Sequence, residues 1–317
     1  MEQIKKLETH PETVWMLDLA WFIHRGFHAH AKPPKNLSVK IDGKVVNSGP
    51  IYHIWQTIRS IEKRSTGHII VLAVDTWDKD REALNKDYKA GRESPCDINV
   101  YMDDIINMLS PLPNIYYAKE EGYEADDLCM NAPDRFPNSI INMYSVDNDM
   151  LQIVDGVRVH QTYGLHEGKF QWYNNDYTMK KYGTPLPVPT MLRAIIGDSS
   201  DNLPSPVPRF PRDLARRLAK AFSTPNAFIE KANSVVTKLL NEEKVTHSKY
   251  AILLIENLEQ LRINFEIMKF KKHDHFELRE SDVLEARLVR KWRFNSLRKW
   301  IRSTHAWDYI NIDGDLG

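Results

Sequence analysis

The sequence holds only two cysteines in 317 residues, Cys96 and Cys129. That is too few for a disulfide framework, and neither belongs to a CxxC pair of the kind zinc sites use. No GxxxxGK[ST] or GxGxxG segment occurs, so nucleotide-binding loops are not supported. No apolar run is long enough to cross a bilayer, and the opening MEQIKKLETHPE is polar, unlike a signal peptide. Internal repeats and low-complexity stretches are also missing. These absences point to a reducing, cytoplasmic setting and to a chain able to bury a sizeable core.

Net charge is absent too, but only in the sum. Residues 203–317 carry 21 Lys and Arg against 15 Asp and Glu, whereas residues 1–202 carry 22 against 28. The stretch 286–307, ARLVRKWRFNSLRKWIRSTHAW, has seven basic residues and no acid. An acidic part joined to a basic part suits an enzyme that binds a polyanion around an acidic, metal-neutralised centre. An ordinary solvated surface has the same signature. Trp292, Trp300 and Trp307 in the basic part read first as core anchors of a helical layer, and second as base-stacking residues.

What is present is a rhythm of short apolar runs, three of which lead to an aspartate. VWML precedes Asp18, IIVLAV precedes Asp75, and SIINMYSV precedes Asp147. Such runs read as buried strands of a parallel sheet. The amphipathic stretches Ile51–Lys63 and Ile98–Leu109 between them read as crossover helices, so the expected class is α/β. In that class, functional residues collect beyond the carboxyl ends of the strands. One strand-terminal aspartate is an ordinary turn former. Three aimed at the same sheet edge strain that reading.

A fourth acidic segment, EGYEADDLCMN, crowds Glu124, Asp126 and Asp127 at the start of an apolar helix. The plain explanation is a helix N-terminus, where negative charge offsets the exposed N–H groups. SVDNDML adds Asp149 to Asp147, and GDSSDN adds Asp198 and Asp201. Nine carboxylates at strand ends, helix starts and turns cannot all stay ionised together unaided. Divalent cations resolve the conflict. A cluster of hard oxygen donors without His or Cys suits Mg²⁺, with Mn²⁺ as a substitute, and not zinc. Two such ions about 4 Å apart activate water and stabilise a leaving oxygen in phosphodiester cleavage.

YEADD, SVDNDMLQIV and GDSSDN together resemble the signature segments of the 5′-nuclease superfamily: flap endonucleases, bacterial polymerase I 5′–3′ exonuclease domains, and phage 5′ exonucleases and RNase H. WMLDLAWFIHRGFHA, AVDTWDKDREALNKDYKAGR and KKYGTPLPVPTMLRAIIGDSSDNLP extend the resemblance over residues 14 to about 222. It implies a PIN-like nuclease core and a Mg²⁺-dependent, structure-specific 5′ nuclease working by two metals. Asp75, Glu124, Asp126, Asp127 and Asp147 would surround the first ion, with Asp18 reaching it through water. Asp149, Asp198 and Asp201, with Asp147 bridging, would hold the second. Lys89 and Arg92, one turn apart on a helix, would grip the scissile phosphate. Arg81 and Tyr88 would handle the substrate 5′ end, Tyr88 by stacking on a base.

Family members continue GDSSDN with a glycine-rich hairpin that clamps a DNA phosphate and often K⁺. Here LPSPVPRFPRDLARRLAK places Ser205, Arg209 and Pro211 where glycines are expected, which counts against a K⁺ site. Arg209, Arg212, Arg216 and Arg217 are then expected to contact phosphates directly. The expected organisation is an N-terminal extension, 1–13, loosely held, and a nuclease core, 14–197, with an arch over about 81–122. A helical DNA-binding region, 198–317, would follow, containing a modified helix-hairpin-helix-type motif. Implied partners are DNA with a free 5′ end, a flap or an RNA–DNA primer junction, and single-strand-binding or replication proteins, in a bacterial cell or phage-infected host. The rival readings are a catalytically silent DNA-structure-binding protein on this scaffold and a PIN-type ribonuclease cutting single-stranded RNA.

Overall fold

The computed structural model describes residues 3–4, 11–29, 37–41, 44–64, 67–91, 96–110, 114–242 and 244–281. Arg92, the basic stretch 286–307 and its three tryptophans lie outside the described residues. Ten strands occur there: β1 (Gln3–Ile4), β2 (Thr13–Asp18), β3 (Ser38–Ile41), β4 (Lys44–Asn47), β5 (His68–Ala73), β6 (Ile115–Ala118), β7 (Ile140–Tyr144), β8 (Val159–His166), β9 (Lys169–Trp172) and β10 (Arg279–Glu280). The helices of the first part are α1 (Leu19–Ala29), α2 (Gly49–Glu62), α3 (Lys79–Leu84), α4 (Ile98–Leu109), α5 (Ala125–Arg135) and α6 (Asn175–Lys181). Those of the second are α7 (Thr190–Ile196), α8 (Arg212–Ala221), α9 (Pro225–Glu230), α10 (Ala232–Asn241), α11 (Val245–Glu256) and α12 (Leu258–Met268).

Eight strands form one sheet in the order β1-β10-β6-β5-β2-β7-β8-β9, and β3 with β4 makes a separate hairpin. The middle of the sheet, β6-β5-β2-β7-β8, is parallel throughout. Its central strands β2 and β5 are apolar on both faces, as parallel strands covered by helices are. Along β2, Val14 and Met16 enter one core while Trp15 and Leu17 enter the other. The first core also takes in α5, α7, α8 and α12 through Leu128, Leu192, Leu214 and Leu261. The second is closed by α1, α2 and α4 through Phe22, Ile58 and Ile105. Where α1 meets α2, Gly26 is required: a Cβ there would fall 2.6 Å from the Pro50 Cα. Among the described residues no helix is long and apolar enough to cross a membrane.

The α/β expectation holds, and α4 has the bounds the apolar spacing suggests. Three boundaries need correction. The arch cannot run from about 81 to 122. Tyr101, Ile105 and Leu109 of α4 are buried in the second core, and β6 is a sheet strand paired with β5. The N-terminal extension is not simply loose, since Gln3 and Ile4 pair with Glu280 and Arg279. Nor do the described helices after residue 197 stand apart from the sheet: α8 and α12 share the core under it, and the chain returns to the sheet through β10.

Candidate active site

β5, β2 and β7 lie side by side and run parallel, so their carboxyl ends open on one edge roughly 4.8 Å apart from strand to strand. Asp18 is the last residue of β2, Asp75 lies two residues past β5, and Asp147 three residues past β7. The edge therefore receives all three. Asp18 accepts hydrogen bonds from the Trp21 N–H (3.0 Å) and the Ser145 hydroxyl (2.8 Å). Asp75 accepts from the Ala125 N–H (2.8 Å), which docks the first turn of α5 on the strand ends and brings Glu124, Asp126 and Asp127 with it. Asp147 accepts from the Asp149 N–H (2.8 Å), and Gln161 braces that turn by donating to the Asp147 carbonyl (2.6 Å).

Burial, and then the nearby Asp75 and Asp147 charges, push Asp18 up to about 7 despite its two hydrogen bonds. Burial also raises Asp75. Asp126 is driven well above the carboxylate range by burial and by its neighbours Asp127 and Glu124. Like charges have been pressed together here and disfavour one another's ionisation.

Three side chains expected to meet substrate turn inward instead. Arg81 is 5% exposed. It donates to Glu124 (2.6 Å) and, through both terminal nitrogens, to Asp127 (2.9 and 2.8 Å). Buried among acids, it is a counter-ion and not a surface arginine. Tyr88 is half-buried and gives its hydroxyl to Glu124 (3.0 Å). Lys89 donates to the other Glu124 oxygen (2.6 Å). It lies in a turn with φ 54°, not on a helix, because α3 already ends at Leu84. Burial works against ionisation of Glu124, but Lys89 and Arg81 outweigh it and hold the carboxyl below its usual range.

Asp127 is the most enclosed of the expected ligands. It is fully buried, and besides Arg81 it accepts the N–H groups of Lys271 (2.7 Å) and Glu124 (3.2 Å). The bond to Glu124 is the ordinary helix-start role of an acid three residues into a helix.

The second group gathers around Arg193 of α7. Asp149 opens a short 3-10 turn after β7, and Asp198 and Asp201 flank another after α7. Arg193 donates to Asp198 (2.8 Å) and forms an ion pair with Asp149. Asp149 is pushed up to about 8 by burial and by Asp147, Asp201 and Asp198, against the pull of Arg193. Hydrogen bonds from Ser200, together with Arg193, overcome burial at Asp198 and hold it low. Gly197 makes this turn possible: at φ 75° its Cα faces the Leu203 carbonyl and the Ser205 N–H, each within 2.6 Å of where a Cβ would stand.

This donor set suits a hard divalent cation. It is all carboxylate oxygen, neighbouring acids help to raise Asp18, Asp126 and Asp149, and Asp149 Oδ1 is buried without an aligned hydrogen-bond donor. Among the described residues no three His, Cys, Asp or Glu side chains already close around one point. Arg81, Lys89 and Arg193 engage several of the oxygens that a cation would use.

The sequence profile described as "5′-3′ exonuclease, N-terminal resolvase-like domain" matches residues 13–183, more than half of the chain. The chain belongs to the 5′-nuclease superfamily. It is 26% identical over 277 residues to a 5′-3′ exonuclease of Aquifex aeolicus, spanning 86% of each chain. It is also 29% identical over 210 residues to DNA polymerase I of Bacillus subtilis, covering 63% of this chain and only 23% of the polymerase. Among solved structures, phage T5 D15 protein co-crystallised with metal ions superimposes with a TM-score of 0.55 at 14% identity, covering 92% and 97% of the two chains. The catalytic core of Rad2 in complex with DNA substrate does so at 0.52 and 12%, covering 99% and 95%. Those two likenesses show a common fold.

Within this 5′-nuclease fold, the glycine-poor hairpin keeps a glycine-like backbone. Arg209, where a glycine was expected, adopts φ 57°. α7 and α8 bury Leu192 and Leu214 in one core. The arginines expected to meet phosphate separate into two pairs. Arg209 and Arg212 are exposed. Arg216 lies over Gly183, and Arg217 pairs with Glu242 (2.9 Å). The sequence reading missed Arg193, Ser145, Gln161 and Lys271. Arg193 had a usable signal: a lone charge in the apolar helix MLRAII must find a partner. The partners of the other three come from distant segments and leave no trace in local pattern.

Proposed function

We propose that this protein is a divalent-metal-dependent, structure-specific 5′ nuclease, cleaving phosphodiesters near 5′ ends of DNA or of RNA annealed to DNA. One observation carries the reading: three adjacent parallel strands deliver Asp18, Asp75 and Asp147 to one edge, where α5 adds Glu124 and Asp126. The relatives named above are a 5′-3′ exonuclease and a DNA polymerase I, which supports the same activity. Asp75, Glu124, Asp126 and Asp147, with Asp18 behind them, are the residues to hold one Mg²⁺. Asp149, Asp198 and Asp201, with Asp147 between the groups, are those to hold another. When bound there, such ions supply a polarised water and neutralise the departing oxygen.

The chain's own side chains do the rest. Asp18, kept in place by Ser145 and Trp21, sets the charge behind the site. Lys89 exchanges Glu124 for a phosphate oxygen of the incoming strand, as a point charge can. Arg92, from the resemblance, completes that grip. Arg81 keeps Glu124 and Asp127 in position, and exposed Arg209 and Arg212 bind duplex phosphates downstream. A K⁺ site is not part of this reading.

The deciding measurement is cleavage of a 5′-labelled flap, a nicked duplex and an RNA-primed duplex with Mg²⁺, with Mn²⁺ and with EDTA, beside an Asp147→Asn control. Metal-dependent release of short 5′ products, lost in EDTA and in the variant, is expected. Duplex binding without product under any metal would establish the silent binder instead, and cleavage of single-stranded RNA alone would establish the PIN-type ribonuclease.

A further inference from the structure

Arg193 is 4% exposed and sits on a seven-residue helix whose other side chains mostly serve the core. Burying a guanidinium is costly unless its charge is matched. The match comes from two acids on different segments, Asp149 after β7 and Asp198 after α7. A third bond runs to the Tyr182 hydroxyl (3.3 Å). One guanidinium nitrogen, Nη2, contacts both carboxylates, and the other, Nη1, donates to the tyrosine hydroxyl. The match is also incomplete. Arg193 Nε has no partner, and Asp149 Oδ1, although in ion contact, receives no aligned hydrogen bond. Asp201, 7% exposed, closes the short turn that Asp198 opens. A group of carboxylates therefore shares one fixed monovalent cation and is left with excess negative charge.

We propose that Arg193 is the built-in counter-ion of this carboxylate group, holding Asp149 and Asp198 together before metal arrives and weakening the group's hold on a divalent cation. The inference rests on the metal reading given above and assigns that reading a positioning residue. It has two opposed consequences. Without metal, loss of Arg193 strands buried like charges and loosens the junction of β7 with α7. With metal, the same loss removes a competing positive charge from beside the ion, so binding tightens.

The test compares thermal unfolding in EDTA and in saturating Mg²⁺, with Mg²⁺ titration calorimetry, for the unaltered protein, Arg193→Met and Arg193→Lys. Arg193→Met is expected to lower the metal-free Tm by roughly 6–10 °C. It should also enlarge the Mg²⁺-induced rise and tighten the weaker Mg²⁺ site about tenfold. Arg193→Lys should show smaller changes of the same sign, and it carries the comparison if Arg193→Met does not fold. Adding Asp149→Asn to Arg193→Met removes one stranded charge and should restore most of the metal-free Tm, which lost packing alone would not do. If Mg²⁺ stabilises every protein by the same increment, the metal reading stands and this proposal falls. If Mg²⁺ shifts none of them, both fall.

Discussion

The two edges of the central sheet treat acidic groups in opposite ways. At the amino edge, Asp155 precedes β8 and accepts the N–H groups of Val157, Arg158 and Val159 at 2.7–2.8 Å. Some burial notwithstanding, those bonds hold its carboxyl below the usual range. Arg158 beside it donates to the carbonyls of Pro133, Phe136 and Ser139 at 3.3–3.4 Å. At the carboxyl edge, Asp18 and Asp149 are buried among other acids and pushed up to about 7 and about 8. One edge satisfies its polar groups and stabilises the fold. The other gathers charge that the fold does not need, and such local conflict marks a site kept for its chemistry.

That contrast can be broken by substitution. The largest effect is expected from Asp75→Asn, which should reduce cleavage roughly 10³-fold, because one ligand to a charge-stabilising ion is lost. The metal-free Tm should rise or stay level, since a repelling charge has gone; a clear fall would show that Asp75 serves stability. Arg158→Ala should do the reverse. It leaves three carbonyls short of a donor and should cost about 1–3 kcal/mol in denaturant unfolding, with kcat within about twofold of the unaltered protein. A large loss of kcat there would erase the distinction between the edges.

Titration offers a finer test. Groups whose folded pKa is raised, such as Asp18 and Asp149, favour the folded state at low pH, and that contribution is lost as pH rises through about 7 to 8. Metal-free protein should therefore lose Tm between about pH 5 and pH 8.5, and Mg²⁺ should restore it. A metal-free Tm that climbs over this range would contradict the assigned shifts. Asp155 has the opposite sign: its depressed pKa gives stability above the unfolded value that disappears as pH falls through the folded one. Asp155→Ala should cost about 1 kcal/mol near neutrality, the smallest effect here, and flatten the acid limb of the stability profile.

Much of the site was readable because its logic is local. A short apolar run before a polar residue shows where a parallel strand ends, and three such runs are enough to put Asp18, Asp75 and Asp147 on one edge. The bounds of α4 followed from its apolar spacing, yet the same stretch was assigned to an arch, because spacing does not say which surface the apolar face meets. The contacts of Arg81, Tyr88 and Asp127 were not legible for a related reason. Each sits in a segment that resembles a substrate-handling or metal-binding element, but its partners are 36 to 144 residues away in the chain. Gln3–Ile4 looked loose because their strand partner, Arg279–Glu280, is at the other end of the described chain.

By itself, the order of residues determined the class of fold, the edge that carries the chemistry and the hard-oxygen character of the donors. These depend on side-chain type and on periods of two and 3.6 residues. The tertiary structure alone decided which acids remain crowded and which are neutralised. Arg81 settles Asp127, Arg193 divides itself between Asp149 and Asp198, and the Lys271 backbone seals the start of α5. Pairing of charges depends on distance and burial, and for residues far apart in the chain both are set only when the layers pack.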